Sequence, residues 1–83
     1  MYALRFSSDF VKEFNKLKRR DKVLAEAITQ KLAQVAVEPE RFKPLRNELA
    51  GRRRIHFKSY VLLFKIVDDA VEISSLEHHD DAY

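Results

Sequence analysis

The chain has 83 residues, 46% of them hydrophobic and 35% charged, the balance of a single folded domain (1–83) with one modest core. It has no cysteine, which excludes disulfides and thiolate metal sites. No apolar run approaches the roughly 20 residues needed to cross a bilayer, so no membrane partner is expected.

The net charge of +3 is unevenly spread. Residues 1–59 carry 15 Lys/Arg against 7 Asp/Glu, and residues 60–83 carry 1 against 6. A basic block in a small domain suggests nucleic acid or an acidic protein as partner, with a plain solvated face as the alternative. The N-terminus alternates and lacks the apolar block of a signal peptide, so a cytoplasmic protein is expected.

Tyr2, Leu4 and Phe6 alternate with Ala3 and Arg5, the period of a first strand. Ser7 or Ser8 can cap a helix, and Asp9 suits its positive first turn. Phe10, Phe14 and Leu17 then form one helical stripe. Lys18-Arg19-Arg20 breaks the stripe and Asp21 can cap a second helix, whose stripe is Leu24, Ile28, Leu32 and Val35. Pro39 ends it, because the residue before proline avoids the helical region. The two helices make a hairpin that can cover a sheet.

Residues 40–50 have little periodicity and lead to Gly51, the only glycine, where positive φ or a bulge is expected. From there the period is two. Ile55 and Phe57 point one way; Arg52, Arg54, His56 and Lys58 point the other, as a cationic row holding one titratable group. Tyr60 to Val67 is apolar on both faces and reads as a central strand. Asp68-Asp69 reads as a hairpin turn, Val71, Ile73 and Ser75 as the last strand, and residues 78–83 as a polar tail. The expected class is α+β: strand, helical hairpin, three-strand meander. In a meander the last strand leaves the sheet at the edge where the second strand ended, so the tail should emerge near the cationic row.

These residues suit RNA cleavage without a metal or other cofactor. A ribose 2′-hydroxyl attacks the adjacent phosphorus and the 5′-oxygen leaves. Histidine can act as base or acid near neutral pH, and arginine stabilises the charge on phosphorus. His56 with His79 or His78 can move the protons, and Arg54, Arg52 and Lys58 can supply charge. Asp81 can orient a histidine, and Tyr60 or Tyr83 can stack on a base. Lys43 and Arg46 belong to the same basic block. The tail histidines and aspartates are otherwise a solvated segment or a weak metal site.

The length, the hairpin after strand one, Lys43-Pro44-Leu45-Arg46-Asn47-Glu48-Leu49-Ala50-Gly51, Arg54-Ile55-His56, Tyr60-Val61-Leu62-Leu63-Phe64 and the histidine-to-tyrosine tail follow one another in a familiar order. Together they resemble the RelE/ParE superfamily of toxins from toxin–antitoxin pairs. The resemblance implies a small antiparallel sheet packed by the helical hairpin. It also implies a cognate antitoxin as protein partner. RelE-type members cut mRNA in the ribosomal A site; ParE-type members poison DNA gyrase. RelE-type members usually carry arginine where this chain has Val61, and arginines in the tail. The YafQ-like branch looks closer, with His56, Val61, His79, Asp81 and Tyr83 matching its pattern. The implied function is a ribosome-dependent mRNA endonuclease toxin. A gyrase-inhibiting protein or an inactive antitoxin-bound regulator are the alternatives.

Overall fold

The computed structural model describes residues 1–42 and 51–78. A short strand, β1 (Ala3–Phe6), leads into α1 (Ser8–Arg20) and α2 (Lys22–Val37). Ser7 caps α1, its Oγ accepting from the Phe10 amide at 3.0 Å, and Lys18, Arg19 and Arg20 occupy the last turn, where cations suit the helix dipole. Asp21 is the whole link between the helices. Its amide closes α1 on the Leu17 carbonyl, while its carboxylate caps α2 through the Leu24 amide at 3.0 Å. Pro39 ends α2 as expected and opens a single 3-10 turn, Pro39–Arg41.

The strands β2 (Arg52–Phe57), β3 (Tyr60–Val67) and β4 (Ala70–His78) form the expected antiparallel meander. Gly51, at φ 91°, enters β2 in the left-handed region that only glycine adopts freely. Lys58 (φ 51°) and Asp68 (φ 56°) take the first positions of the two hairpin turns.

The sheet as a whole is mixed. Its order is β1-β4-β3-β2, and β1 runs parallel to β4, pairing Ala3 with Ala70 and Phe6 with Ile73. The outer edge of β4 needs a partner for its backbone groups, and a parallel partner requires a long connection. The helical hairpin lies within that connection. The expected α+β order and antiparallel meander are present; the small antiparallel sheet implied by the resemblance is corrected only in that β1 joins it in parallel.

The helices cover one face. Leu62, Phe64, Ile73, Val71 and Leu76 from the sheet pack with Leu17, Ile28 and Val35 from the helices, all essentially without solvent contact. A register shift between Leu63 and Phe64 leaves Ser74 as an extra residue on β4. This bulge lets Ile73 and Leu76, three apart, both face the core.

Two long-range anchors hold the periphery. The Tyr2 hydroxyl donates to the Glu40 carboxylate. That bond raises the Tyr2 pKa, with burial and the Glu40 charge adding to the shift. It also holds the Glu40 pKa below the usual carboxylate range, helped by its own backbone amide and by Arg53. Arg53, on the helix side of β2, donates from Nη1 to the Phe42 carbonyl at 2.6 Å and the Glu40 carbonyl at 3.3 Å.

Candidate functional site

Strand alternation divides the charged residues of β2. Ile55 and Phe57 are buried against the helices, and Arg53 lies on their side. Arg52 and Arg54, half-buried, and His56, exposed, share the open face away from the helices. Each stands beside a defined neighbour on β3: Arg52 beside Lys65, Arg54 beside Leu63, His56 beside Val61. One strand further, Glu72, Ser75 and Glu77 complete the three rows. The open face is thus a cationic strip along β2 bordering an apolar floor, with Val61 only 4% exposed. Val61 shares the open face with His56.

Lys58 does not extend this strip. It occupies the β2–β3 turn, where alternation stops, and with Ser59 it lines a recess formed by Leu17, Arg20, Leu24, Tyr60 and His78. Tyr60 lies on the helix face, 7% exposed, in register with Phe57. Its hydroxyl accepts from the Arg20 guanidinium. Its ring meets His78 edge-on, centroids 5.2 Å apart. His78 is the last residue of β4 and not the start of a tail. The meander brings it to the edge where β2 ends, through the line Phe57, Tyr60, His78. It stands on the helix face, whereas His56 stands on the open face. Of the two histidines considered as partner for His56, His78 is therefore directed elsewhere.

Lys43, Arg46, His79, Asp81 and Tyr83 lie outside the described residues. Sequence reasoning gave no role to Arg53 and read Arg20 only as part of the run that breaks the first helical stripe. It also passed over Arg5 and Lys65; the alternation of Arg5 with Leu4, and the lone charge of Lys65 in an apolar strand, were the available signals. Among the described residues no group of three His, Cys, Asp or Glu is placed to hold a metal. No described helix is long and apolar enough to cross a membrane.

Residues 4–83 match the family described as the ParE toxin of the type II toxin–antitoxin system parDE. The chain belongs to this family. It is 33% identical to the putative toxin RelE4 of Methanocaldococcus jannaschii, covering all of this chain and 92% of that one. It is 34% identical to Toxin RelG of Mycobacterium tuberculosis, covering 99% of this chain and 95% of that one. Its fold matches the toxin–antitoxin complex RelBE2 of Mycobacterium tuberculosis, with a TM-score of 0.76 and 32% identity over 93% of this chain and 96% of that one. E. coli YafQ matches with a TM-score of 0.71 over 100% and 99% of the two chains; at 16% identity this is a likeness of fold alone. The protein is a RelE-like toxin of a toxin–antitoxin system.

Proposed function

We propose that this toxin is a ribosome-dependent mRNA endonuclease that cleaves without a metal. The observation that carries the reading is the strip Arg52, Arg54, His56, aligned on the open face of β2, with its His56 end at the end of the sheet where β4 finishes. In the proposed reaction His56 and His79 share the proton transfers: one takes the proton of the 2′-hydroxyl, the other gives one to the departing 5′-oxygen. The products are a 2′,3′-cyclic phosphate and a 5′-hydroxyl. Arg54 stabilises the charge on phosphorus, Asp81 orients His79, and Tyr83 stacks on a base. Arg52, Lys43 and Arg46 hold flanking phosphates. Tyr60 is left out, because its ring is buried on the opposite face and its hydroxyl is engaged by Arg20.

The proposed partners are the ribosome with its mRNA, in the cytoplasm, and a cognate antitoxin. The RelBE2 structure is a toxin–antitoxin complex, which supports an antitoxin partner here. An antitoxin that covers the cationic face should present an acidic segment.

One observation favours a second reading: the matched family is described by its ParE member, and the resemblance to ParE-type toxins implies inhibition of gyrase. Induction of the toxin in cells separates the two. The nuclease reading predicts arrest of translation with new mRNA ends on ribosomes. Arrest of replication with intact mRNA would replace it by the gyrase reading.

A further inference from the structure

Arg5, Glu72, Lys65 and Arg52 stand side by side across all four strands, in register. At the usual ~4.8 Å between strands the row is about 14 Å long. It lies on the open face, at the end of β2 opposite His56. Its three cations face a single carboxylate. Glu72 is taken up by Lys65, with Nζ to Oε1 at 3.7 Å, and among the described residues neither Arg5 nor Arg52 has an ion pair. Arg52 and Lys65 are directly opposed, an arrangement that destabilises a sheet unless another charge compensates it.

The row walls a cleft of about 410 Å³, also lined by Phe6, Ser7, Ile73 and Ser74. Phe6, in register with Ile73, leans to the helix side and stacks one ring face on Phe10 at 5.5 Å between centroids, but it is 47% exposed, so its outer ring face is open at the margin of the cleft. Stacking rings beside a cationic track are the features by which single-stranded nucleic acid is held without sequence choice.

We propose that this corner is a second phosphate subsite for single-stranded RNA. Arg5 and Lys65 hold a phosphate upstream or downstream of the cut, and Phe6 receives a neighbouring base. The proposal rests on the reading that the open face binds RNA. The strand would follow β2 from His56 past Arg54 to Arg52, about 13 Å at ~3.3 Å per residue, and then turn across the row. Three features favour RNA over an acidic protein segment. The corner is continuous with the β2 strip, its guanidinium groups match single phosphates bidentately, and Phe6 offers a surface for a base.

The test uses 2′-O-methyl oligonucleotides, which bind but cannot be cleaved. A long one of about ten nucleotides lies within the ~4–16 nucleotides typical of single-strand sites, and a short one of about three does not reach the corner. Binding is followed by fluorescence anisotropy against salt for the full chain and for Arg5→Ala, Lys65→Gln and Arg54→Ala. Each lost phosphate contact lowers the slope of log K against log salt by about 0.7. Arg5→Ala and Lys65→Gln should each show this loss with the long oligonucleotide and not with the short one. Arg54→Ala should show it with both. If Arg54→Ala lowers the slope while Arg5→Ala and Lys65→Gln leave it unchanged, the corner is overturned and the RNA-binding face stands. If the unaltered toxin does not bind, the corner is overturned as a site for free single-stranded RNA; if it binds without regard to Arg54, the RNA-binding face falls along with the corner. If Arg5→Ala weakens a poly-glutamate peptide and leaves the oligonucleotide untouched, the corner serves an acidic protein and the RNA subsite is refuted.

Discussion

Tyr60→Phe tests what the aromatic at the head of β3 does. The substitution removes one hydroxyl and keeps the ring, and with it the edge contact to His78. What is lost is the hydrogen bond from the Arg20 guanidinium, which ties the end of α1 to the edge of the sheet. Hydrogen bonds to charged groups contribute about 1.5–3 kcal/mol when shielded. Arg20 is exposed, so water recovers part of its bonding and the expected loss is ~1 kcal/mol. For a chain of this size 1 kcal/mol lowers Tm by about 4–8 °C. Thermal melts of the unaltered toxin, Tyr60→Phe, Arg20→Ala and the double variant measure the loss and the coupling. The two single losses should be similar, and the double should be less than their sum. RNA binding should not change, because Tyr60 faces the helices. A Tm within about 1 °C of the unaltered toxin, or a loss of RNA affinity in a variant that keeps its Tm, would refute this reasoning.

Further outcomes follow from the fold and the strip. Gly51→Ala forces a side chain into a left-handed conformation at a place with open space around it, so only backbone strain acts. It should cost ~1–2 kcal/mol, and Gly51→Asn less, in a denaturant titration. Arg52→Ala and Arg54→Ala should each reduce the salt slope of RNA binding by about 0.7, whereas Lys58→Ala, in the turn, should change it less. The Tyr2–Glu40 contact should stabilise the fold only between the two pKa ranges. The Glu40 pKa is depressed, so its contribution is present above the ordinary carboxylate range and is lost as pH falls through the lowered value. The Tyr2 pKa is raised, so its contribution is present below the ordinary phenol range and is lost as pH rises through the raised value. Glu40→Gln should therefore flatten both limbs of a plot of Tm against pH.

Much of the fold was legible because its signals are local. The Ser7 and Asp21 caps, the stop at Pro39, the period-two strands and the positive φ at Gly51 each involve groups a few residues apart. The misreadings concern distant partners. The parallel pairing of β1 with β4 joins residues 3–6 to residues 70–73. The extra residue at Ser74 breaks the alternation that would have put Ser75 in the core, and it is imposed by packing Ile73 and Leu76 together. Arg20 meets a partner 40 positions away, which no helix periodicity reveals. Within the candidate site, alternation alone identified Arg52, Arg54 and His56. It failed at Lys58 because a turn interrupts the period. It could not assign faces to Tyr60 and His78 until the register of β3 and β4 was known.

The central claim is that His56 moves a proton during RNA cleavage, and single-turnover cleavage on programmed ribosomes tests it most directly. The unaltered toxin, His56→Ala, His79→Ala and the double variant are compared at saturating toxin, with folding checked by thermal melt. His56 is exposed, so its loss should leave the fold intact. Each single variant should be slower by about 10²–10⁴-fold, and the double slower by less than the product, as for groups that act as a unit. Ribosome binding should persist in all of them. Cleavage by the double variant at the rate of the unaltered toxin would contradict the account.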